Sequence, residues 1–130
     1  MTTKLLAVFA LGICILVVSS SAFAHHGTAS YDLTKTTTSK ATVTSLQWEN
    51  PHCLLNLDIT DDKGVVTHWS IEMYPPSYMS RAGWTRDTLK AGDEIMISFH
   101  PAKDGTGAGD IREGEGKIFF NGKRLSFVQE

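Results

Sequence analysis

From Lys40 onward, apolar and polar positions alternate in short runs, the period of β-strands that bury one face. Thr42 to Trp48 is rich in β-branched and apolar residues and stops at the turn signal Glu49-Asn50-Pro51. His52 to Thr60 sets Cys53, Leu55, Leu57 and Ile59 against His52, Leu54, Asn56 and Asp58. Val65 to Tyr74 sets Val65, Thr67, Trp69, Ile71 and Met73 against Val66, His68, Ser70 and Glu72. The two apolar faces coincide only when the numbers of paired residues sum to an even value. A loop of Asp62-Lys63-Gly64 meets that condition, pairing Leu57 with Trp69 and Leu55 with Ile71. Gly64 then takes the left-handed position that closes the loop. The same register sets Asp58 opposite His68 on the outer face.

Further along, Pro75-Pro76 stops the third strand. Ser77 is placed to cap a short helix, Tyr78 to Ala82, with Gly83 as terminator. Thr85 to Thr88 reads as a capped turn, and Lys90-Ala91-Gly92-Asp93 as a tight turn opening a fourth strand, Glu94 to His100. Ala102 to Gly109 is Gly-rich and reads as a surface loop. Asn121-Gly122 predicts a type I′ hairpin joining Lys117–Phe120 to Lys123–Phe127. Three strands, a helix, then two or three strands predict a mostly β fold. The order fits a small five- to six-stranded antiparallel barrel of OB type, with the helix between strands three and four. A β-sandwich is the alternative. Trp48, Leu55, Leu57, Trp69, Ile71, Ile97 and Phe127 are the expected core. In the OB-type topology the start of strand two and the end of strand four are expected at opposite ends, which would separate His52 from His100.

The N-terminus carries a different pattern. Lys4 is the only charge before Asp32, Leu5 to Val18 is an unbroken apolar run, and Ala22-Phe23-Ala24 closes it. This is the order of a secretory signal peptide, and the run is short for a membrane span of about 20 residues. The expected organisation is a signal peptide over residues 1–24, a lead-in over 25–39 and a single barrel domain over 40–130. Localisation is then periplasmic or secreted, with no stable membrane span after cleavage.

That cut changes the composition. The full chain has 130 residues, 42% hydrophobic and 20% charged, with two cysteines and a net charge of −2. Removing 24 residues takes away Lys4 and Cys14, leaving 106 residues, a net charge of −3 and Cys53 as the lone cysteine. No intramolecular disulfide is possible, and Cys53 reads as a buried small hydrophobe. The absence of a basic excess argues against a nucleic-acid partner.

All five histidines, His25, His26, His52, His68 and His100, survive cleavage. His25 would become the first residue, so its amine and its ring Nδ1 could chelate one ion together. A third nitrogen from His52, with His26 and His100 as further candidates, makes a nitrogen donor set that suits copper. The competing reading is a frayed, solvated start. His68 is assigned to Asp58 instead. A calcium loop counted from Asp104 to Glu115 lacks oxygen ligands at Thr106 and Ala108. No nucleophile motif, phosphate loop or paired CxxC occurs. An enzyme is therefore disfavoured, because no acid–base or nucleophile pair can be named.

The chain also resembles a family of small exported bacterial proteins known only as a domain of unknown function. The resemblance rests on Ala24-His25-His26, Trp48-Glu49-Asn50-Pro51-His52, Trp69-Ser70-Ile71-Glu72, the block Gly83-Trp84-Thr85-Arg86-Asp87-Thr88-Leu89-Lys90-Ala91-Gly92-Asp93, and His100-Pro101-Ala102-Lys103-Asp104-Gly105. It implies export and a compact β-domain and brings no activity. The expected function is a binding module that holds a metal ion, copper first, through the mature N-terminal histidine. The alternative is a metal-free structural or interaction module of the cell envelope. Glu72, Trp84, Arg86 and Asp87 would then form the docking surface for an envelope protein.

Overall fold

The structure, a computed structural model, describes residues 27–114 and 116–127. The signal-peptide reading, His25, His26 and Glu115 lie outside the described residues. After a 3₁₀ turn at Thr28–Ser30 come β1 (Thr37–Gln47), β2 (Leu54–Thr60), β3 (Val66–Glu72), α1 (Pro76–Arg81), β4 (Glu94–Pro101), β5 (Ala108–Asp110), β6 (Lys117–Phe120) and β7 (Lys123–Leu125). Strands pair in the order β1-β2-β3-β5-β4, and β4 returns to β1. That closes a five-stranded barrel with β6 and β7 as extra strands and one short helix between β3 and β4. The OB-type barrel is the fold; the sandwich is not.

The first hairpin follows from side-chain patterning. Leu57 pairs with Trp69, Leu55 with Ile71 and Asp58 with His68. Gly64 has φ +80°, and the Asp61 carboxylate accepts the amides of Lys63 and Val65, both at 2.9 Å. The second hairpin behaves alike: Asn121 and Gly122 both take positive φ, as a type I′ turn requires. Leu55, Leu57, Ile71, Ile97, Phe99 and Ile118 fill the barrel, with Cys53 fully buried beside them. Burial raises the Cys53 thiol pKa, although the nearby Arg86 charge opposes the shift. Trp48 and Trp69 are only partly buried and pack against the rim of this core.

Three expectations need correction. β1 begins at Thr37, inside the expected lead-in, because Thr37 to Thr42 pair with Phe99 to Glu94 and close the barrel. α1 begins at Pro76 with no side-chain cap from Ser77; proline at the first helical position needs no amide partner. The Gly-rich segment is not a surface loop throughout. It contains β5, which lies parallel to β3 and antiparallel to β4. A Cβ on Gly107 would overlap the His68 carbonyl oxygen, and one on Gly109 would overlap the Phe99 ring. Glycine is thus what lets β5 approach its neighbours closely enough to pair.

The stagger of the closed barrel decides where the ends meet. Gln47 pairs with Leu54, Leu54 with Glu72, Glu72 with Asp110, and Asp110 with His100. His100 follows Phe99, which pairs with Thr37. One circuit therefore steps from the end of β1 back to its start. The start of β2 and the end of β4 share one rung instead of lying at opposite ends.

Gly107→Ala should destabilise the fold by about 1–3 kcal/mol, an overpacking cost. For a domain this size that lowers the thermal midpoint by roughly 4–8 °C per kcal/mol. A melt followed by circular dichroism checks it, and an unchanged midpoint would mean that β5 is not needed for closure.

Candidate functional site

The shared rung carries an outward-facing polar cluster. Leu55, Ile71 and Phe99 point into the core, so Leu54, Glu72 and His100 point away from it, with Asp110 on the same rung. Even so, Asp110 is fully buried and His100 is 4% exposed. What covers this rung is the segment before β1. Tyr31 forms a bridge with Ala102, the Asp32 amide donates to the Pro101 carbonyl at 2.8 Å, and the Lys103 amide donates to the Ser30 carbonyl at 3.0 Å. Lys103 Nζ adds a bond to the Ala29 carbonyl at 2.8 Å. The segment is a strap laid across the rim.

Arg112, two residues past Asp110, is the hub beneath it. Its Nε donates to Asp110 Oδ2 at 2.8 Å, and its Nη2 bonds the same oxygen. The Arg112 amide donates to the other Asp110 oxygen at 2.7 Å. Nη2 also pairs with Glu72 Oε2 at 3.2 Å. Nη1 faces His52 Nε2 at 2.7 Å. Tyr31 Oη donates to Glu72 Oε2 at 2.9 Å, and Tyr74 Oη donates to the Arg112 carbonyl at 2.6 Å. Burial pulls the Arg112 guanidinium pKa down, but the hydrogen bond and charge of Asp110 and the charge of Glu72 outweigh it and hold it above its ordinary value. Burial, then the hydrogen bond to Glu72 and its charge, pushes the Tyr31 phenol upward.

The partners fix the state of His52. A guanidinium only donates, so His52 Nε2 must accept. Its Nδ1 then carries the proton and donates to Glu72 Oε1 at 2.5 Å. His52 is an imidazole with one nitrogen tied to a carboxylate and its lone pair turned to a cation. Pro51 before it follows a cis Asn50-Pro51 bond, and Cys53 after it exchanges backbone bonds with Met73 and Tyr74. Those bonds hold His52 beside the end of β3.

A model of a family of unknown function, DUF6152, matches residues 13–111. The chain belongs to this family. The DUF6152 match spans Tyr31, His52, Glu72 and Asp110 and ends one residue before Arg112. No curated protein and no solved structure gives a significant match.

The remaining candidate residues of this DUF6152 protein fall elsewhere. His100 sits on the rung, but Nδ1 faces the Lys35 carbonyl at 2.6 Å and Nε2 the Glu113 carbonyl at 3.1 Å. It clasps strap and loop together and does not turn to His52. Trp84 is 4% exposed, stacks on Phe127 at 5.2 Å and donates to the Ser126 carbonyl at 2.7 Å. It is core, not docking surface, because its ring is buried against the chain after β7. Glu72 is likewise committed to the cluster, leaving Arg86 and Asp87 as the exposed members of that set. His68 meets Asp58 at 2.5 Å in the expected register. Among the described residues no group of three or more His, Cys, Asp or Glu side chains is arranged to hold a metal, and no helix is long and apolar enough to cross a membrane.

Sequence reasoning missed Tyr31, Asp110 and Arg112. The signal for two of them was the short alternating stretch Asp110-Ile111-Arg112 straight after the Gly-rich run, too short to be read as a strand; nothing in the pattern marked Tyr31.

Arg112→Leu should cost about 3–5 kcal/mol, since it strands the buried Asp110 carboxylate. Adding Asp110→Leu should recover part of that loss. Urea midpoints of the two variants check this, and equal losses would show that the pair contributes through packing alone.

An unfolded tyrosine ionises at about pH 10, before the strapped Tyr31 does. The phenol's contribution to stability is therefore complete below about pH 10 and is lost as pH rises above it. Tyr31→Phe should flatten the fall in urea midpoint between pH 9 and pH 11.

Proposed function

We propose that the protein is an exported β-barrel binding module of the cell envelope that carries a transition metal, copper first, at its mature N-terminus. The amine and ring of His25 would chelate the ion, His52 Nε2 would supply a third nitrogen, and His26 stands as the neighbouring alternative. A nitrogen donor set of this kind favours Cu(II) over Zn or Ni. His100 takes no part, since both of its nitrogens face carbonyls.

One observation carries the reading. The strap that leads back to His25 is anchored by Tyr31 on Glu72, and the same carboxylate holds His52 Nδ1. A carboxylate on one imidazole nitrogen is how metal-ligating histidines are oriented, with the other nitrogen left to the metal. His25 stands three positions before Thr28, where the 3₁₀ turn begins, a reach of up to about 10 Å of extended chain. Export supplies the free amine, because cleavage after Ala24 makes His25 the first residue.

A metal-free interaction module is favoured by a different observation. Arg112 Nη1 occupies the lone pair of His52, and Met96 and Phe119, paired across β4 and β6, are both exposed.

Copper titration separates the two. Protein beginning at His25 should bind one equivalent. Protein with one extra residue before His25 should bind at least about tenfold more weakly, or about 1.4 kcal/mol. Equal binding by both, or none above background, would overturn the N-terminal chelate and leave the interaction module.

A further inference from the structure

We propose that the outer face of β1, β4, β6 and β7 is a docking site for an extended acidic segment of another envelope protein. The segment it fits carries an acid, an apolar residue and a second acid at alternate positions. This deepens the interaction-module reading, on which it rests, and stands apart from the copper chelate.

One row of side chains carries the inference. Lys40 pairs with Met96, Met96 with Phe119 and Phe119 with Arg124, so four strands each give one residue to a single line across the sheet. Their chain neighbours Ala41, Ile95, Ile97 and Ile118 are buried, so alternation turns the row outward. Met96 is 39% exposed and Phe119 41%. Lys40 and Arg124 are exposed too, and neither forms an ion pair among the described residues. The row reads cation, apolar pair, cation, in a chain whose net charge is −2. A groove opens beside the apolar pair, with Lys40 and Glu94 on its wall.

Spacing names the occupant. Neighbouring strands lie about 4.8 Å apart, which sets Lys40 about 14 Å from Arg124 with the apolar pair midway. An extended peptide rises about 3.3 Å per residue and turns every second side chain to one face, so its positions i, i+2 and i+4 span about 13 Å. Laid across the strands, it sets carboxylates at i and i+4 on Lys40 and Arg124, and an apolar side chain at i+2 on Met96 and Phe119. In a helix, i and i+4 rise only about 6 Å and i+2 faces away.

Two other occupants match less well. A second copy would have to present the pattern itself, and no acid-x-apolar-x-acid run occurs in the chain. Asp58 and Asp62 have the spacing but hold Thr60 between them. An anionic bilayer would cover the whole face and meet the exposed Glu94 carboxylate, two positions from Met96. A narrow peptide passes it by.

The test is titration of protein beginning at His25 with a capped seven-residue peptide, followed by ¹H–¹⁵N NMR. The probe carries glutamate, phenylalanine and glutamate at its second, fourth and sixth positions and serine elsewhere. It should saturate with a Kd below about 1 mM and shift the Met96, Phe119 and Arg124 amides together. A control with lysine in place of glutamate should bind at least about tenfold more weakly. Lys40→Glu combined with Arg124→Glu, both at exposed positions, should reverse that preference. Equal binding of the two peptides, a Kd above about 1 mM, or an unreversed preference in the double variant would overturn the site. Shifts centred on Arg86 and Asp87 would overturn it and leave the interaction module standing. Shifts of Phe119 with protein concentration alone would name a second copy, and shifts with phosphatidylglycerol vesicles but not peptide would name a bilayer; either overturns the proposal. The copper titration does not involve this face, so failure here and failure of the interaction-module reading are separate results.

Discussion

The Arg112–Asp110 ion pair is the interaction on which the rim of this barrel depends. Asp110 is fully buried on a strand of only three residues, and without a partner its charge would be costly there. Arg112 meets that need and then serves three other groups. It fixes Glu72, caps His52 and, through its own carbonyl, receives Tyr74. Glu72 in turn holds Tyr31 and with it the strap. Backbone, strap and imidazole are thus tied to one buried charge pair, and the described side chains include no buried polar atom without a partner. Such a network is worth more for the single arrangement it selects than for net stability, since buried ion pairs rarely exceed their desolvation cost.

The cluster exists because of how the strands are registered. The stagger brings the start of β2, the ends of β3 and β5 and the end of β4 onto one rung, where Glu72, Asp110 and His100 become neighbours. Gly107 and Gly109 make this possible by letting β5 slip between β3 and β4. Residues chosen for the absence of a side chain therefore help to place a heavily bonded cluster of side chains.

Much of the barrel was legible in the residues. Alternation with a parity condition set the first hairpin, and the same turn chemistry marked Asn121-Gly122. Prolines bounded β3 and β4. The strand that completes the barrel was not legible, because Gly-rich segments read as loops and β5 pairs through backbone with almost no side-chain pattern. The site was half legible for a related reason. Glu72 lies on a strand whose face can be assigned and His52 stands two residues before one, whereas Tyr31 and Arg112 lie outside the strands. Tyr31 and Arg112 sit on irregular chain, where no period says which way a side chain points. Trp84 misled for the opposite cause: a specific motif around it suggested display, while its indole had a stacking partner 43 residues away in Phe127.

β4 has a consequence of its own. One edge of it pairs with β1, and the other edge serves β5 and β6 in succession. The rungs that seal the barrel join Thr37 to Phe99, residues far apart in the chain, so loop closure must precede most of the reward from burial. Until β4 emerges, β1 and β3 would each carry an open edge, the kind of surface that pairs with other chains. The molecule is built around a keystone that arrives late, so the first two-thirds of the chain does not contain a smaller version of the fold.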